Sequence, residues 1–203
     1  RYQSFSTLSI LIGFLFTFTS DAFSKIPATD LYLKEMKKLR FDTSKVTNFS
    51  FMLANLFNLQ SINFPDPFNT SSAENMHFMF TNFPLASLDI GNLVSKEFNT
   101  SGVVTMNEMF SQLPNITTLD LSSLDTSSVT DMSGMFRAST SLDDINLSGS
   151  FDTSEVTTMY RMFQGTSSLS SLDLSTFDTS NVTDMGEMFG YPEEPDGPDD
   201  YYL

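Results

Sequence analysis

Two kinds of side chain recur in this chain at spacings that can do chemistry. Methionines come in M-x-x-M pairs, and eleven of the twelve fall on the two positions of that pair. Paired thioethers three residues apart can ligate copper or haem iron. Carboxylates recur as well: Asp42, Asp125, Asp152 and Asp178 each open a D-T-S triplet, with Asn69 and Asn99 in the same place in two others. A column of aspartates can hold calcium. Each signal has a plainer source. Methionine fills irregular gaps in an apolar interior, and Asp or Asn before Thr-Ser is the chemistry of an Asx or Ser/Thr turn. Core filling and turn formation are the preferred readings, so neither metal nor cofactor is expected, and calcium is the one ion the aspartate column leaves open.

The remaining reactive inventory is sparse. His77 is the single histidine and there is no cysteine, so neither a nucleophile–base pair nor a thiolate or multi-histidine zinc site can be assembled. The nine glycines form no G-x-G-x-x-G or Walker phrase. No catalytic residues are expected, and the chain is read as something other than an enzyme.

What positions these residues is one repeated phrase. DTSKVTNFSFML at 42 recurs as NTSSAENMHFMF at 69, NTSGVVTMNEMF at 99, DTSSVTDMSGMF at 125, DTSEVTTMYRMF at 152 and DTSNVTDMGEMF at 178, with openings 27, 30, 26, 27 and 26 residues apart. A fixed period of this size marks a repeat solenoid. A unit this short cannot bury its own apolar face and is stable only when stacked on neighbours. Counting the opening residue as position 0, positions 4, 7, 10 and 11 are apolar: Val129, Met132, Met135 and Phe136 in the fourth copy, Val156, Met159, Met162 and Phe163 in the fifth, and Val182, Met185, Met188 and Phe189 in the sixth. Those intervals predict one stripe of a short helix, started by a threonine such as Thr130, Thr157 or Thr183. A second phrase follows each of the first five copies: LQSINF at 59, LASLDI at 85, ITTLDL at 116, LDDINL at 142 and LSSLDL at 169. Its alternation predicts a strand, with Leu119 and Leu121 inward and Asp120 outward. The predicted fold class is an α/β repeat solenoid, leucine-rich-repeat-like, with parallel strands on one face and short helices or turns on the other.

The outward strand positions form the candidate binding set: Asn63, Asp89, Thr118, Asp120, Asp144, Asn146 and Asp173. Like charges about 5 Å apart on neighbouring strands repel, a cost expected to persist where the face binds something, and strand-lined solenoids commonly bind there. Simple solvation of an outer face explains the same residues, and both readings stay open.

The flanks differ from the repeats. Arg1 precedes an apolar run from Leu8 to Phe18, and Ala22-Phe23-Ser24 offers small residues for cleavage, so residues 1–24 are read as a signal peptide. Eleven apolar residues are too few to span a bilayer, which takes about 20, and no membrane insertion of the mature chain is expected. Residues 25–41, containing LYLKEMKKLRF, are read as an N-terminal capping half-repeat, residues 42–190 as about six coils, and residues 191–203 as an acidic Pro-rich tail or linker. Charge is lopsided: residues 1–45 carry seven Lys or Arg against four Asp or Glu, net +3, and 46–203 carry three against 21, net −18. So acidic a surface excludes nucleic acid and anionic lipid. The basic cluster Lys34, Lys37, Lys38, Arg40 and Lys45 reads as a solvated cap, or as one half of a head-to-tail contact with an acidic C-terminal end.

The phrase L-x-x-L-D-L-S-x-F-D-T-S-x-V-T-x-M-x-x-M-F, intact from Leu169 to Phe189, resembles the BspA-type leucine-rich repeat family, in the branch common in mycoplasma and lactobacillus surface proteins. The resemblance covers Leu33 to Phe189. It departs from the family where a frequent Cys after M-F is here Ser139 or Thr166, and where the second repeat carries an insertion around Val94 to Glu97. The resemblance implies a secreted or cell-surface protein. Because the better-known relatives are adhesins, it also implies an adhesion or protein–protein interaction module whose partner is an extracellular-matrix or host-cell surface protein. The rival expectation is a structural spacer or stalk with no ligand of its own.

Overall fold

The computed structural model describes residues 42–62, 64, 68–95 and 97–190, all within one compact unit, Arg40–Leu203. The signal-peptide segment 1–24, the capping half-repeat 25–41 with Lys34, Lys37, Lys38 and Arg40, the tail 191–203 and Asn63 lie outside the described residues.

Positions 7 to 12 of each copy form two consecutive turns where a short helix was expected. The N–H of position 10 bonds to the carbonyl of position 7, and that of position 12 to position 9, in all six copies; Met135 to Met132 and Arg137 to Gly134 are the fourth-copy examples, at 3.2 and 2.8 Å. Position 9 sits in the left-handed region every time: Phe51, Phe78, Glu108, Gly134, Arg161 and Glu187 have φ of 57, 54, 51, 59, 56 and 53°. A helix needs φ near −63° throughout, so the first such residue ends it, whereas a positive φ suits the third residue of a type II turn. The same conformation returns at position 13, in Asn55, Asn82, Gln112, Ala138 and Gly165. Spacing of three, three and one therefore describes a pair of tight turns as well as a helical stripe.

Every second N–H leaves its own copy. Those at positions 7, 9, 11 and 13 bond to the carbonyls at positions 6, 8, 10 and 12 of the next copy, at all five junctions; between the fourth and fifth copies these run from Met132, Gly134, Phe136 and Ala138 to Thr158, Tyr160, Met162 and Gln164, at 2.7 to 3.1 Å. The N–H at position 5 bonds backward to the position-5 carbonyl of the preceding copy, again at every junction. Position 6 accordingly forms a chain of parallel bridges, Asn48–Asn75–Thr105–Asp131–Thr158–Asp184. Its side chain accepts the N–H of position 8 in each copy, as from Asn75 to His77 at 2.9 Å and from Asp184 to Gly186 at 2.8 Å. The backbone donors of the turn region are thus used in sequence, which allows it to be buried.

Regular elements among the described residues are few. Helix α1 (Ile90–Val94) starts from Asp89, whose side chain accepts from the Asn92 N–H at 2.8 Å. Strands β1 (Thr118–Asp120) and β2 (Asp144–Asn146) pair in parallel. They are the third and fourth of the five expected strand phrases, and in the second the chain turns into α1 at Ile90, within two residues of its expected outward Asp89. No described helix is long and apolar enough to cross a membrane.

The side chains of positions 4, 7, 10 and 11 make the core. Val129, Met132, Met135, Phe136, Val156, Met159, Met162 and Phe163 are all buried. The phenylalanines of position 11 stack with near-parallel rings, Phe80 on Phe110, Phe136, Phe163 and Phe189 in turn, at centroid separations of 5.6, 6.1, 5.2 and 5.7 Å. In the sixth copy Met188 is buried and Val182 partly so. Met185 and Phe189, expected in the core, are 42% and 61% exposed, because no further copy lies over them among the described residues.

Position 1 holds the copies together from inside. Thr43, Thr70, Thr100, Thr126 and Thr153 are buried, and each hydroxyl donates to the carbonyl of the next copy's opening residue at 2.5 to 3.0 Å. Three of them also accept that residue's N–H, Thr126 doing so from Asp152 at 2.7 Å. Thr126→Val keeps the shape and strands two buried backbone groups, so it should cost about 2–3 kcal/mol. Thr179 is exposed and its hydroxyl meets no partner among the described residues, so Thr179→Val should be close to neutral. Urea unfolding of the two variants checks this, and equal losses would remove the proposed role of the threonine column.

Candidate functional site

The outward face of the strand phrases is where the candidate binding residues fall. Asp89, Thr118, Asp120, Asp144, Asn146 and Asp173 are all exposed, while Leu119, Leu121, Ile145 and Leu147 between them are buried. The β1–β2 register sets Thr118 beside Asp144 and Asp120 beside Asn146, and the Asn146 amide donates to the Asp120 carboxylate at 3.0 Å. These four residues are brought together as one small face. Asp89 serves at the start of α1, and Asp173 lies in a phrase with no ladder pairing, so neither joins the four through the sheet.

The acidic side chains of this face are held by their own backbone. Asp120, Asn146 and Asp173 each accept the N–H of the residue two positions on, Ser122, Ser148 and Ser175, at 2.9, 3.1 and 2.9 Å. The bond from the Ser122 N–H holds the Asp120 carboxyl below its ordinary range, with the Ser122 hydroxyl adding to it. Asp173 is lowered in the same way, chiefly by Ser175. Both therefore hold their charge to lower pH than an unperturbed aspartate.

The opening-residue column is likewise a set of turns. Asp42, Asn69, Asn99, Asp125, Asp152 and Asp178 each accept the N–H of the serine two residues on, at 2.8 to 3.1 Å. Among the described residues no three His, Cys, Asp or Glu side chains are placed to share a metal ion. The methionine pairs of the second to fifth copies lie buried in the interior.

A second surface, on positions 8, 9 and 12, was not anticipated. At its N-terminal side Phe51 stacks on Phe78 at 4.8 Å and meets His77 edge-on at 5.4 Å. His77, expected as a partly exposed helix residue, is half-buried as expected but sits in a turn, and that burial pushes its pKa down against the pull of a hydrogen bond with Asn107. Farther along, charged groups link successive copies. The Arg137 Nε donates to Gln164 at 3.0 Å, and the Gln164 amide and the Arg161 Nε both donate to Glu187 Oε2 at 2.8 Å. Glu108 lies at the head of this series. Its Oε1 is 3.5 Å from Arg137 Nη1, and its Oε2 is buried with no hydrogen-bond partner among the described residues. Its side chain lies over Gly134, where a Cβ would come within 2.7 Å of Glu108 Cγ, so glycine at that copy's position 9 is what makes room for it. One signal for this surface does exist in the sequence: position 12 carries a different residue in each of the six copies, and position 8 carries five different residues.

Two segments of the chain, residues 20–117 and 83–197, match the model of a family described as "Mycoplasma protein of unknown function, DUF285". No match was found among curated proteins or among solved structures.

Burial pushes the Glu108 carboxyl above its ordinary value, and the opposing attraction of Arg137 does not cancel this. A raised folded-state pKa means that the folded chain binds the proton more tightly than the unfolded one, so this group's contribution to stability grows as pH falls from neutral through that raised pKa and is lost as pH rises. Glu108→Gln should therefore raise the unfolding midpoint at neutral pH and change it little below the ordinary carboxylate range. A lowered midpoint at neutral pH would show that the Arg137 contact outweighs burial.

Proposed function

Because the chain belongs to the DUF285 family, a family of unknown function, we propose a role drawn from its own geometry: a leucine-rich-repeat-like solenoid, exported and surface-displayed, that works as an adhesion or protein-interaction module. Its partner is a protein of the extracellular matrix or of a host-cell surface, and it acts by rigid display of polar groups without chemistry of its own. The observation that carries this is the outward strand face. Thr118, Asp120, Asp144 and Asn146 stand exposed in fixed register over buried leucine and isoleucine, each row repeating the direction of the last. Groups held rigid before contact lose little freedom on binding, which favours affinity. The likeness of the repeat phrase to BspA-type repeats, whose better-known members are adhesins, supports the same reading.

One observation favours the rival reading of a spacer or stalk. Asp89, Asp120, Asn146 and Asp173 each close a local turn or cap a helix, so their presence is accounted for without any ligand.

The two readings separate under a substitution that removes charge and keeps the turns. Asn146 shows that an amide oxygen closes this turn as a carboxylate does, so the triple change Asp120→Asn, Asp144→Asn, Asp173→Asn should leave folding intact. Capture of matrix proteins and binding to host cells, each with and without calcium, should be lost or reduced at least about tenfold in the triple variant, equivalent to about 1.4 kcal/mol. Unchanged binding by the variant, or no binding by the unaltered chain, would leave the spacer as the better description.

A further inference from the structure

Nearly everything that joins two copies is the same at every junction. The backbone bonds from positions 7, 9 and 11, the bridges of position 6 and the inward threonine of position 1 recur from the first junction to the fifth. Contacts of that kind hold any copy to any other and cannot tell a neighbour from the copy beyond it. The side chains at positions 8, 9 and 12 are different. At the first junction Phe51 stacks on Phe78, and at the second His77 bonds with Asn107. At the third the Glu108 side chain lies over Gly134, the single glycine at position 9, and its carboxylate faces Arg137. At the fourth Arg137 donates to Gln164, and at the fifth Gln164 and Arg161 both donate to Glu187. Each junction thus carries a side-chain contact that the others lack.

We propose that this outer column is a pairing code, which lets each copy take its own neighbour during folding and disfavours a register in which a copy is skipped. This goes beyond the adhesion reading and does not depend on it. Misassembly is a characteristic hazard of arrays built from like units. Doubling the length of chain between two copies lowers their chance of meeting by only about threefold, and a wrongly stacked pair would still make every shared junction bond. The outer column opposes it by shape and by partner. A third copy stacked on the fifth would set Arg161 where Gly134 belongs, a place where even a Cβ would come within 2.7 Å of Glu108 Cγ. A fourth copy stacked on the sixth would set Gly190 where Gln164 belongs, and Arg137 would lose the acceptor it has at 3.0 Å. Gln164 is only 2% exposed, and a polar group so buried is costly to leave without its partners. Fixing register is the best-attested use of polar groups placed in an apolar assembly.

Engineered disulfides in the full chain test it, and the absence of natural cysteine makes them clean reporters. Position 5 runs in line along the stack, each N–H bonding to the position-5 carbonyl before it. Thr130→Cys with Thr157→Cys therefore reports the fourth copy stacked on the fifth, and Val104→Cys with Thr157→Cys reports the third copy stacked on the fifth. In the ordered stack the second pair is about 10 Å apart, twice the strand spacing and beyond the reach of a disulfide. Refolded from urea into oxidant and mapped by mass spectrometry, the chain with its outer column intact should give the adjacent link and almost none of the skipped one. Two variants alter the column alone. One makes the third to fifth copies alike through Asn107→Ser, Glu108→Gly, Arg137→Ser, Tyr160→Ser, Arg161→Gly and Gln164→Ser. The other exchanges the fourth and fifth copies through Ser133→Tyr, Gly134→Arg, Arg137→Gln, Tyr160→Ser, Arg161→Gly and Gln164→Arg, so that the fifth copy offers Glu108 the glycine and arginine that the fourth normally does. The skipped link should rise at least about tenfold in the first variant, the worth of one or two lost hydrogen bonds, and further in the second. Circular dichroism checks that each variant still melts cooperatively. No rise in the skipped link in a variant that melts cooperatively, or an equal amount of it in the chain with its column intact, would overturn the proposal. Failure of both variants to melt cooperatively would overturn it too, because the column would then supply stability and not order.

Discussion

Each copy of the phrase commits alternate backbone donors to its neighbour, and most of what is specific about the chain follows from that commitment. A copy standing alone would leave N–H groups at positions 7, 9, 11 and 13 without acceptors. Each such group, if buried, costs about 1–3 kcal/mol, so the copies fold as an array or not at all. The backbone can aim successive donors sideways only by turning tightly, which is why position 9 takes a positive φ even where it is Phe, Glu or Arg. For residues other than glycine that conformation costs roughly 1 kcal/mol each, and the junction bonds offset it. The same commitment selects side chains. Position 6 must supply an acceptor for position 8, and it is Asn, Asp or Thr in every copy. Position 1 must bridge two backbones from a buried site, and it is Thr in every copy.

Period, copy number and the identity of the core positions were legible in the sequence because they depend on hydrophobic spacing alone. Val129, Met132, Met135 and Phe136 are buried as their spacing requires. Local conformation was less legible, since intervals of three, three and one suit a helical stripe and two stacked turns equally. The cue that separates them, a residue favouring positive φ, is sparse: glycine stands at position 9 only in the fourth copy, and Asn or Gly at position 13 in the first, second and fifth. The strand phrases were legible where two copies pair, at 118–120 and 144–146, and misleading at 85–90, where Asp89 caps α1 instead of pointing out from a strand. The threonine column was hidden for another reason. D-T-S reads naturally as a local turn, and the Asp and Ser do form one, while the Thr between them turns inward to the next copy.

The side chains at positions 8, 9 and 12 carry none of these duties, and positions 8 and 12 vary accordingly. Their side chains leave the turns at the outside of each copy, where the backbone is already satisfied by position 6 and by the junction bonds. The aromatic group of Phe51, His77 and Phe78 and the charged series from Glu108 to Glu187 are therefore additions to a finished scaffold. Glu108 shows the limit of that freedom. A Cβ on Gly134 would crowd its side chain, and its buried Oε2 has no hydrogen-bond partner among the described residues, so neighbouring copies constrain each other even where the repeat itself imposes nothing.

The acidic face admits a closer electrostatic argument. An unbroken column of carboxylates about 5 Å apart would repel along its length, and such a cost would point strongly to a ligand. Where the register is defined, the column is broken: Asp120 faces the amide of Asn146, and Asp144 faces the hydroxyl of Thr118. The repulsion is relieved by alternation, so charge density by itself does not require a cationic partner there. What the face offers is single carboxylates, each oriented by a turn or set beside a neutral hydrogen-bonding group. A partner suited to it would match a pattern of donors at fixed spacing more than a strong field, and binding of that kind would weaken only modestly as salt rises.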